Sequence, residues 1–396
     1  MKQISYIYRA YPTKEQINII NYNLGGCRYV HNSLRNVFIK ILKNRENLPS
    51  KNDISNMVKD LINKHEFLSK CDRTALIITG YNLLRSFKNY ATDEEKYNCP
   101  KYKHKKLKES YEFINYKGFC QIFQKYMLLS KIGKLRYSKY RQIGTNLNLS
   151  AVRITKYSNK IFYVNCIFDY EDYPVIKVLD KTNVIGLDFS LKNFYVDSNG
   201  ESPEYPFEEL NRLQLKIKRI NKSLLKMVKG SNNYLRQKEK ICLLNLKIDN
   251  IRKHYYNVIA RNLVNKYDYV AVETLNMKEI SKHNNAEGLS LGVSTMNIGY
   301  ANFLKVLEYK LNNSGKELIK CDRALKSSQM CSLCGYINPI MKDYSIKEFA
   351  CPKCKLTINR DKNAAINIKI YALKLLGGYK KTWKDIWHFF KKKTNI

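Results

Sequence analysis

No stretch of this chain approaches the roughly 20 consecutive apolar residues that a bilayer-spanning helix needs. Its opening, MKQISYIYRAYPTKEQ, has no apolar core of the kind a secretory leader requires. Acids are scarce: 34 Asp and Glu stand against 71 Lys and Arg, a formal charge of +37. Internal repeats and low-complexity segments are lacking too. The expectation is a cytoplasmic protein with no membrane partner. So large a cationic excess destabilises an isolated compact state and calls for a polyanion. Nucleic acid is the natural one, because each neutralised phosphate releases counterions and adds affinity. A cationic membrane-surface protein is the rival. The 44% hydrophobic content, spread along 396 residues, argues against a mere basic tail and suffices for two or three domains with real cores. Abundant Lys, Asn, Ile and Tyr also fit an AT-rich genome, so the 31 tyrosines alone say little about base stacking.

Disulfide chemistry is not expected either. The chain has 11 cysteines, an odd number, and seven of them (Cys27, Cys71, Cys99, Cys120, Cys166, Cys242, Cys321) stand singly, as in a reducing cytoplasm. The other four are ordered. Cys331/Cys334 and Cys351/Cys354 form two Cys-x-x-Cys pairs with sixteen residues between them. Gly335 follows the first pair and Pro352 lies inside the second, as turn residues do. Two matched pairs at this spacing predict a four-thiolate Zn²⁺ site, each pair closing half of a tetrahedron. Four thiolates leave no open position, so such a zinc is structural and the chemistry must lie elsewhere.

Residues 3–9 alternate as a short strand does, Pro12 ends it, and Thr13-Lys14-Glu15-Gln16 reads as a capping box opening a helix. Helical patterning runs to about Ala91, with a polar break near Leu48–Asp53. From Asn98 a basic loop, with Lys101, Lys103, Lys105 and Lys106, leads into short alternating segments near 110–116, 119–129, 134–140, 151–157 and 160–168. These suggest a β-barrel or a curled sheet whose first strand is separated from the rest by a helical insertion. Beyond Val178, Val184–Asp188 and Tyr267–Glu273 read as buried strands that each end in a carboxylate, with Lys192–Asp197 pairing back on the first. Two long antiparallel helices over 208–265, turning at Gly230–Asn233, lie between them. A helix over 300–313, a strand Glu317–Cys321 and a last helix Asn363–Leu376 follow. The tail Lys380–Lys393 mixes Trp383 and Trp387 with lysines and is expected to be a helix packed on its own domain.

Three acids stand out by position: Asp188 and Glu273 at strand ends, and Asp361 at a helix start. Strand ends of open sheets face the crevice where ligands bind, and a helix start tolerates acids. Singly, each reads as a solvated strand-end acid or a helix cap. Together they match a two-metal phosphodiesterase, in which hard Mg²⁺ ions take oxygen ligands. None of the six histidines falls in these segments, which leaves little room for a His-based nuclease.

At this point a resemblance becomes specific. Tyr11–Gln16, Gly26–Asn32, Gly186-Leu187-Asp188, Val272-Glu273-Thr274-Leu275, Cys321-Asp322-Arg323 with Ser327-Ser328, the four cysteines and Arg360–Ala365 are similar to the TnpB family, RNA-guided nucleases of insertion sequences related to the type V CRISPR effectors. The similarity is firm over about 184–370 and rests on opening motifs before that. It implies an α+β or α/β multidomain protein. A β-barrel wedge (1–12 and 96–180) would carry a helical recognition insertion (13–95). An RNase H-like, RuvC-type nuclease domain (181–321 and 358–396) would carry an inserted zinc ribbon (322–357). It further implies catalysis through Asp188, Glu273 and Asp361 with Mg²⁺, structural Zn²⁺ on Cys331, Cys334, Cys351 and Cys354, and a guide RNA. Arg323 matches an Arg of the family's approach to the zinc module, where a phosphate contact is expected. Ser190 stands where the family often has Gly, and Asn359 where it often has Asp.

The function expected is an RNA-guided endonuclease that cuts double-stranded target DNA beside a short flanking motif, in a bacterial or archaeal cytoplasm near the nucleoid. Three other readings stand beside it: an RNA-guided repressor with an idle nuclease site, a miniature type V CRISPR effector, and a conventional transposase that joins DNA ends.

Overall fold

Alternating residues build the first strand, β1 (Lys2–Tyr11), and Pro12 ends it. Thr13 then caps α1 (Lys14–Lys43) through the reciprocal capping box with Gln16. A similar box, Ser50 with Asp53, starts α2 (Lys51–Lys64). After the short α3 (Glu66–Ser69), Asp72 accepts from the Thr74 and Ala75 amides and starts α4 (Arg73–Thr92). The helical stretch therefore breaks three times, the last at an Asp cap that hydrophobic spacing alone does not reveal.

This computed structural model describes residues 2–115, 118–158, 160–171, 177–274, 299–343 and 345–377. They divide into two units, Met1–Tyr173 with Ile217–Leu246, and Pro174–Lys216 with Lys247–Ile396. In the first unit, β2 (Glu109–Ile114), β3 (Gln121–Ile122), β4 (Tyr126–Leu129), β5 (Gly133–Ser138), β6 (Asn148–Lys156) and β7 (Phe162–Tyr170) join β1. The segment expected as one strand over 119–129 is two, because the chain reverses between Phe123 and Tyr126. The seven strands run in the order β2-β6-β7-β1-β5-β4-β3, antiparallel throughout. Among the described residues no ladder joins β2 to β3, so this is an open order with two edges. One face shares a core with the helices, where Tyr8, Phe113, Val152, Val164 and Phe168 meet Ile20, Val30, Leu34, Phe38 and Phe87.

In the second unit, β8 (Val184–Ser190) pairs antiparallel with β9 (Phe194–Asp197) and parallel with β10 (Tyr269–Val272), which pairs parallel with β11 (Glu317–Lys320). The first part of α5 (Phe207–Leu224), the last part of α6 (Asn232–Lys266), α7 (Tyr300–Asn313) and α8 (Arg360–Leu375) complete it, while Ile217–Leu246 count with the first unit. Parallel strands must be covered on both faces. Ile185, Leu187, Val270 and Val272 pack on Ile259, Leu263, Phe303 and Leu307 of α6 and α7. Val184, Ala271 and Ile319 pack on Ile366, Ile368, Ile370 and Leu373 of α8. Helix α8 starts three residues before the expected Asn363, since the Asn359 side chain caps it by accepting from the Asp361 and Lys362 amides. Between β11 and α8 the cysteine segment forms a hairpin of β12 (Glu348–Ala350) and β13 (Thr357–Asn359). Leu275 and the tail Lys380–Lys393 lie outside the described residues. Among those described, no helix is long and apolar enough to cross a membrane.

Candidate active site and thiolate cluster

Period two along β8 sends Val184, Gly186 and Asp188 to the face under α8. Gly186 lets helix and strand approach: a Cβ there would lie 2.1 Å from the Ala365 carbonyl oxygen. That approach brings Asp361, in the first turn of α8, toward Asp188. Glu273 follows the last residue of β10 directly, and β10 is paired in register with β8, Val272 opposite Leu187. The structure thus gathers the three acids at the carboxyl end of one sheet. Asp188 is 8% exposed. Burial, then the adjacent and hydrogen-bonded Glu273, then Asp361 push its carboxyl well above the usual carboxylate range, with Arg360 opposing them. A buried carboxyl pushed up further by like-charged neighbours is the electrostatic signature of a site that a cation would relieve.

Further side chains fix these acids, and the sequence pattern alone did not mark them. Ser327 donates its hydroxyl hydrogen bond to Glu273. Thr274 Oγ1 donates to the Cys321 carbonyl at 2.5 Å, tying the end of β10 to the end of β11. On α8, Asn363 and Asn367 lie one turn apart and are fully buried. Asn367 donates to the Ser327 and Met330 carbonyls, at 2.8 and 2.6 Å; Asn363 donates to Met330 and accepts from the Ser332 amide. Buried Arg360 donates to the Asp343, Ile346 and Met341 carbonyls. Two asparagines one helical turn apart within an apolar stretch, Asn-Ala-Ala-Ile-Asn, are the signal that was available for this clamp. For Ser327 the signal was its place in the Ser327-Ser328 pair of the family resemblance, with no role attached to it. Ser190, buried at the end of β8, accepts from the Asn193 amide and closes the turn into β9.

The cysteine sulfurs of residues 331, 334, 351 and 354 all lie within 4.8 Å of one another, the only such group of three or more His, Cys, Asp or Glu ligand atoms among the described residues. The three carboxylates form no group that tight. Sulfur separations of 3.6 Å (Cys331–Cys354 and Cys334–Cys351) are close to the ~3.8 Å edge of a tetrahedron with ~2.3 Å metal–sulfur bonds. The two knuckles repeat one geometry. The Gly335 amide bonds back to the Cys331 carbonyl, and the Lys355 amide to that of Cys351. Both residues have left-handed φ, +73° and +62°. Although burial raises it, the Cys351 thiol is drawn down to about 7 by the amides of Cys354 and Lys353 and by neighbouring thiols. Burial pushes the Cys331 and Cys354 thiols up, so that without a cation one thiolate is favoured and those two partners stay protonated.

The basic loop lies between α4 and β2. Its backbone is strapped to α1: Arg35 donates to the Pro100 carbonyl, His31 bonds the Lys101 carbonyl, and Asn32 exchanges hydrogen bonds with Lys103 in both directions. The side chains of Lys101, Lys103, Lys105 and Lys106 are left exposed on a fixed backbone. Arg323 is exposed on the turn after β11, opened by Asp322 accepting from the Ala324 amide.

Comparison with known proteins finds relatives of this sequence. Family models match in three stretches: a "Helix-turn-helix domain" model over residues 1–42, a "Probable transposase" model over 168–284 and a "Cas12f1-like, TNB domain" model over 300–368. Over 2–42 the structure has one strand and one long helix. A Streptomyces pristinaespiralis protein, provisionally named an RNA-guided DNA endonuclease, is 22% identical over 372 residues, 93% of this chain and 89% of its own. Escherichia coli InsQ, provisionally named likewise, is 27% identical over 253 residues, 61% of each chain. TnpB-like protein L79 of Acanthamoeba polyphaga mimivirus is 27% identical over 210 residues, 51% of this chain and 39% of its own. A Cas12f1–sgRNA–target DNA complex aligns over 93% of this chain and 99% of its own, at 17% identity and TM-score 0.36. The mini-RNA-guided endonuclease CRISPR-Cas_phi3 aligns over 94% and 92%, at 9% identity and 0.46. At those scores the superpositions assign no fold.

Proposed function

We propose that this chain, which belongs to the TnpB family, is an RNA-guided DNA endonuclease that cuts target DNA by metal-dependent hydrolysis beside a short flanking motif. The observation that carries this reading is the convergence of Asp188, Glu273 and Asp361, from three distant stretches of sequence, at one end of a parallel sheet. We read the second unit as an RNase H-like, RuvC-type nuclease domain. Its sheet, with one antiparallel strand beside three parallel ones and acids at their carboxyl ends, supports that reading. The three carboxylates would hold Mg²⁺, a hard cation that takes oxygen donors, and a bound pair supplies an activated water and stabilises the leaving 3′-oxygen. Ser327, Asn363 and Asn367 act as positioning residues that keep Glu273 and α8 in place. The thiolate cluster is read as a structural Zn²⁺ site whose affinity is the folding energy of residues 322–357. The first unit, read as a wedge built on its seven-stranded antiparallel sheet with a helical insertion, would hold guide RNA and the flanking DNA, and Arg323 with the basic loop would meet phosphates. Guide pairing would choose the sequence and the protein would read backbone shape.

Co-expression with the neighbouring non-coding locus tests this reading. A discrete transcript should copurify, and guide-matched DNA should be cut in Mg²⁺. Asp188→Ala, Glu273→Ala and Asp361→Ala should each abolish cutting while leaving guided binding nearly intact, since pairing and positive charge supply the affinity. Unchanged cutting by Asp188→Ala would sink the nuclease reading. Guided binding without cutting by the wild type, in Mg²⁺ or Mn²⁺, would make the protein an RNA-guided repressor instead.

A further inference from the structure

Helix α1 contains two adjacent glycines near its middle, Gly25 and Gly26, although glycine is among the poorest helix formers. Packing accounts for only one. A Cβ on Gly26 would lie 2.5 Å from the Cys71 sulfur, so that glycine admits the turn before α4. A Cβ on Gly25 would meet nothing closer than the Arg28 guanidinium, at 4.0 Å. Gly25 instead forms part of the floor of a cavity of about 550 Å³, within the range that holds small organic ligands. Its walls are aromatic. Tyr22, Phe67 and Tyr102 line it, exposed by 39%, 39% and 51%, and the rim carries Lys103 and Lys105.

The walls are fixed before anything enters. Tyr29 stands edge-on to Phe67 at 5.2 Å and holds its hydroxyl 2.7 Å from the His65 ring. Asn32 pins the Lys103 backbone in both directions, so the loop bearing Tyr102 does not have to order on binding. Aromatic faces joined to lysines suit a flat, π-rich group attached to a phosphate, and stacking with cationic support is how unpaired bases are held.

We propose that this cavity takes one unstacked nucleobase of the guide RNA, with Lys103 and Lys105 on the adjoining phosphates and the missing side chain of Gly25 leaving room for the base. This rests on the guide-RNA reading above. RNA is favoured over DNA because the loops and bulges of a folded guide offer bases free to be splayed onto aromatic rings before any target is opened.

The test uses the full chain copurified with its guide. Gly25→Leu fills the floor while improving helix propensity, so the free protein should melt no lower than wild type. Guide affinity should nevertheless fall about tenfold or more, the loss expected for one stacked base. Tyr102→Ala should weaken the guide similarly, and ultraviolet crosslinking of wild type should join one guide nucleotide to the Tyr22 or Tyr102 peptide, a link lost in Gly25→Leu. If wild type holds a discrete guide and both variants hold it equally well, the pocket assignment is wrong and the guide reading stands. If the variants lose only target DNA, the occupant is DNA and the proposal fails. If wild type yields no discrete RNA, both readings fall.

Discussion

Two kinds of strand divide the molecule. In β7 of the first unit, buried and half-buried residues alternate from Phe162 onward; in β8 and β10 of the second, nearly every residue is buried. A strand covered on one face can present chemistry anywhere along its other face. One covered on both faces has only its ends to offer. That is why the second unit carries its acids at strand termini, at Asp188 and Glu273. The first unit, by contrast, presents lysines and aromatic rings on loops and on helix α1, around an antiparallel sheet that supports them.

The comparison is broken most forcefully by giving both sheets the same side chain. Gly186→Val places methyl groups where the Ala365 carbonyl already lies, and we expect a cost of about 3 kcal/mol or more in the second unit with loss of guided cutting. Ser5→Val, on the exposed face of β1, should change stability by no more than about 0.5 kcal/mol. Hydrogen exchange of β8 and α8 against β1 and β7 measures both. Equal effects would mean that the close approach at Gly186 is not what joins strand and helix.

The next largest effect is confined to one module. Cys351→Ser, or zinc removal by a strong chelator, should loosen residues 322–360 while the four-stranded sheet keeps its exchange protection. One zinc per chain should be lost in the variant by metal analysis. Wild-type protein purified without chelator and free of zinc would remove the assignment.

The smallest effect concerns the first unit alone. Burial, followed by the charge of Lys103, holds the His31 imidazole down at about 4, while the unfolded chain binds that proton near 6.5. The native state therefore resists protonation that the unfolded state accepts. Stability is unaffected by this group above pH 6.5 and falls as pH drops from 6.5 toward 4, by at most about 3 kcal/mol. His31→Gln should flatten that part of the pH–stability curve. An unchanged slope would place the titrating group elsewhere.

Much of this was legible in the sequence, and the reasons are local. The capping box at Thr13 and the paired cysteines are patterns spanning few residues. Buried strands ending in acids are likewise visible without the fold. Gly186 carried a signal that the strand reading passed over, since a glycine inside an apolar strand marks a close backbone approach. Asn359 illustrates the limit. As a departure from the family's usual Asp it looked like a change near the site, yet its side chain caps α8, a task Asn and Asp perform alike. Ser327 and the Arg360 clamp depend on partners up to 54 residues away, and no spacing in the chain announces them. Splitting of 119–129 into two strands depended on a reversal at residues with no Gly or Pro to mark it.

Helix α8 also sets a schedule. It supplies Asp361, and its Ile366, Ile368 and Ile370 cover the face of the sheet that holds Val184 and Ala271. A ribosome adding ~5–20 residues per second needs roughly ten to thirty-five seconds to travel from Asp188 to Asp361. For all that time the strands lack their cover and the carboxylate set lacks its last member. Maturation of the second unit and completion of its acidic group are thus one event that waits for α8, and on the nuclease reading proposed above a chain lacking α8 should bind but not cut.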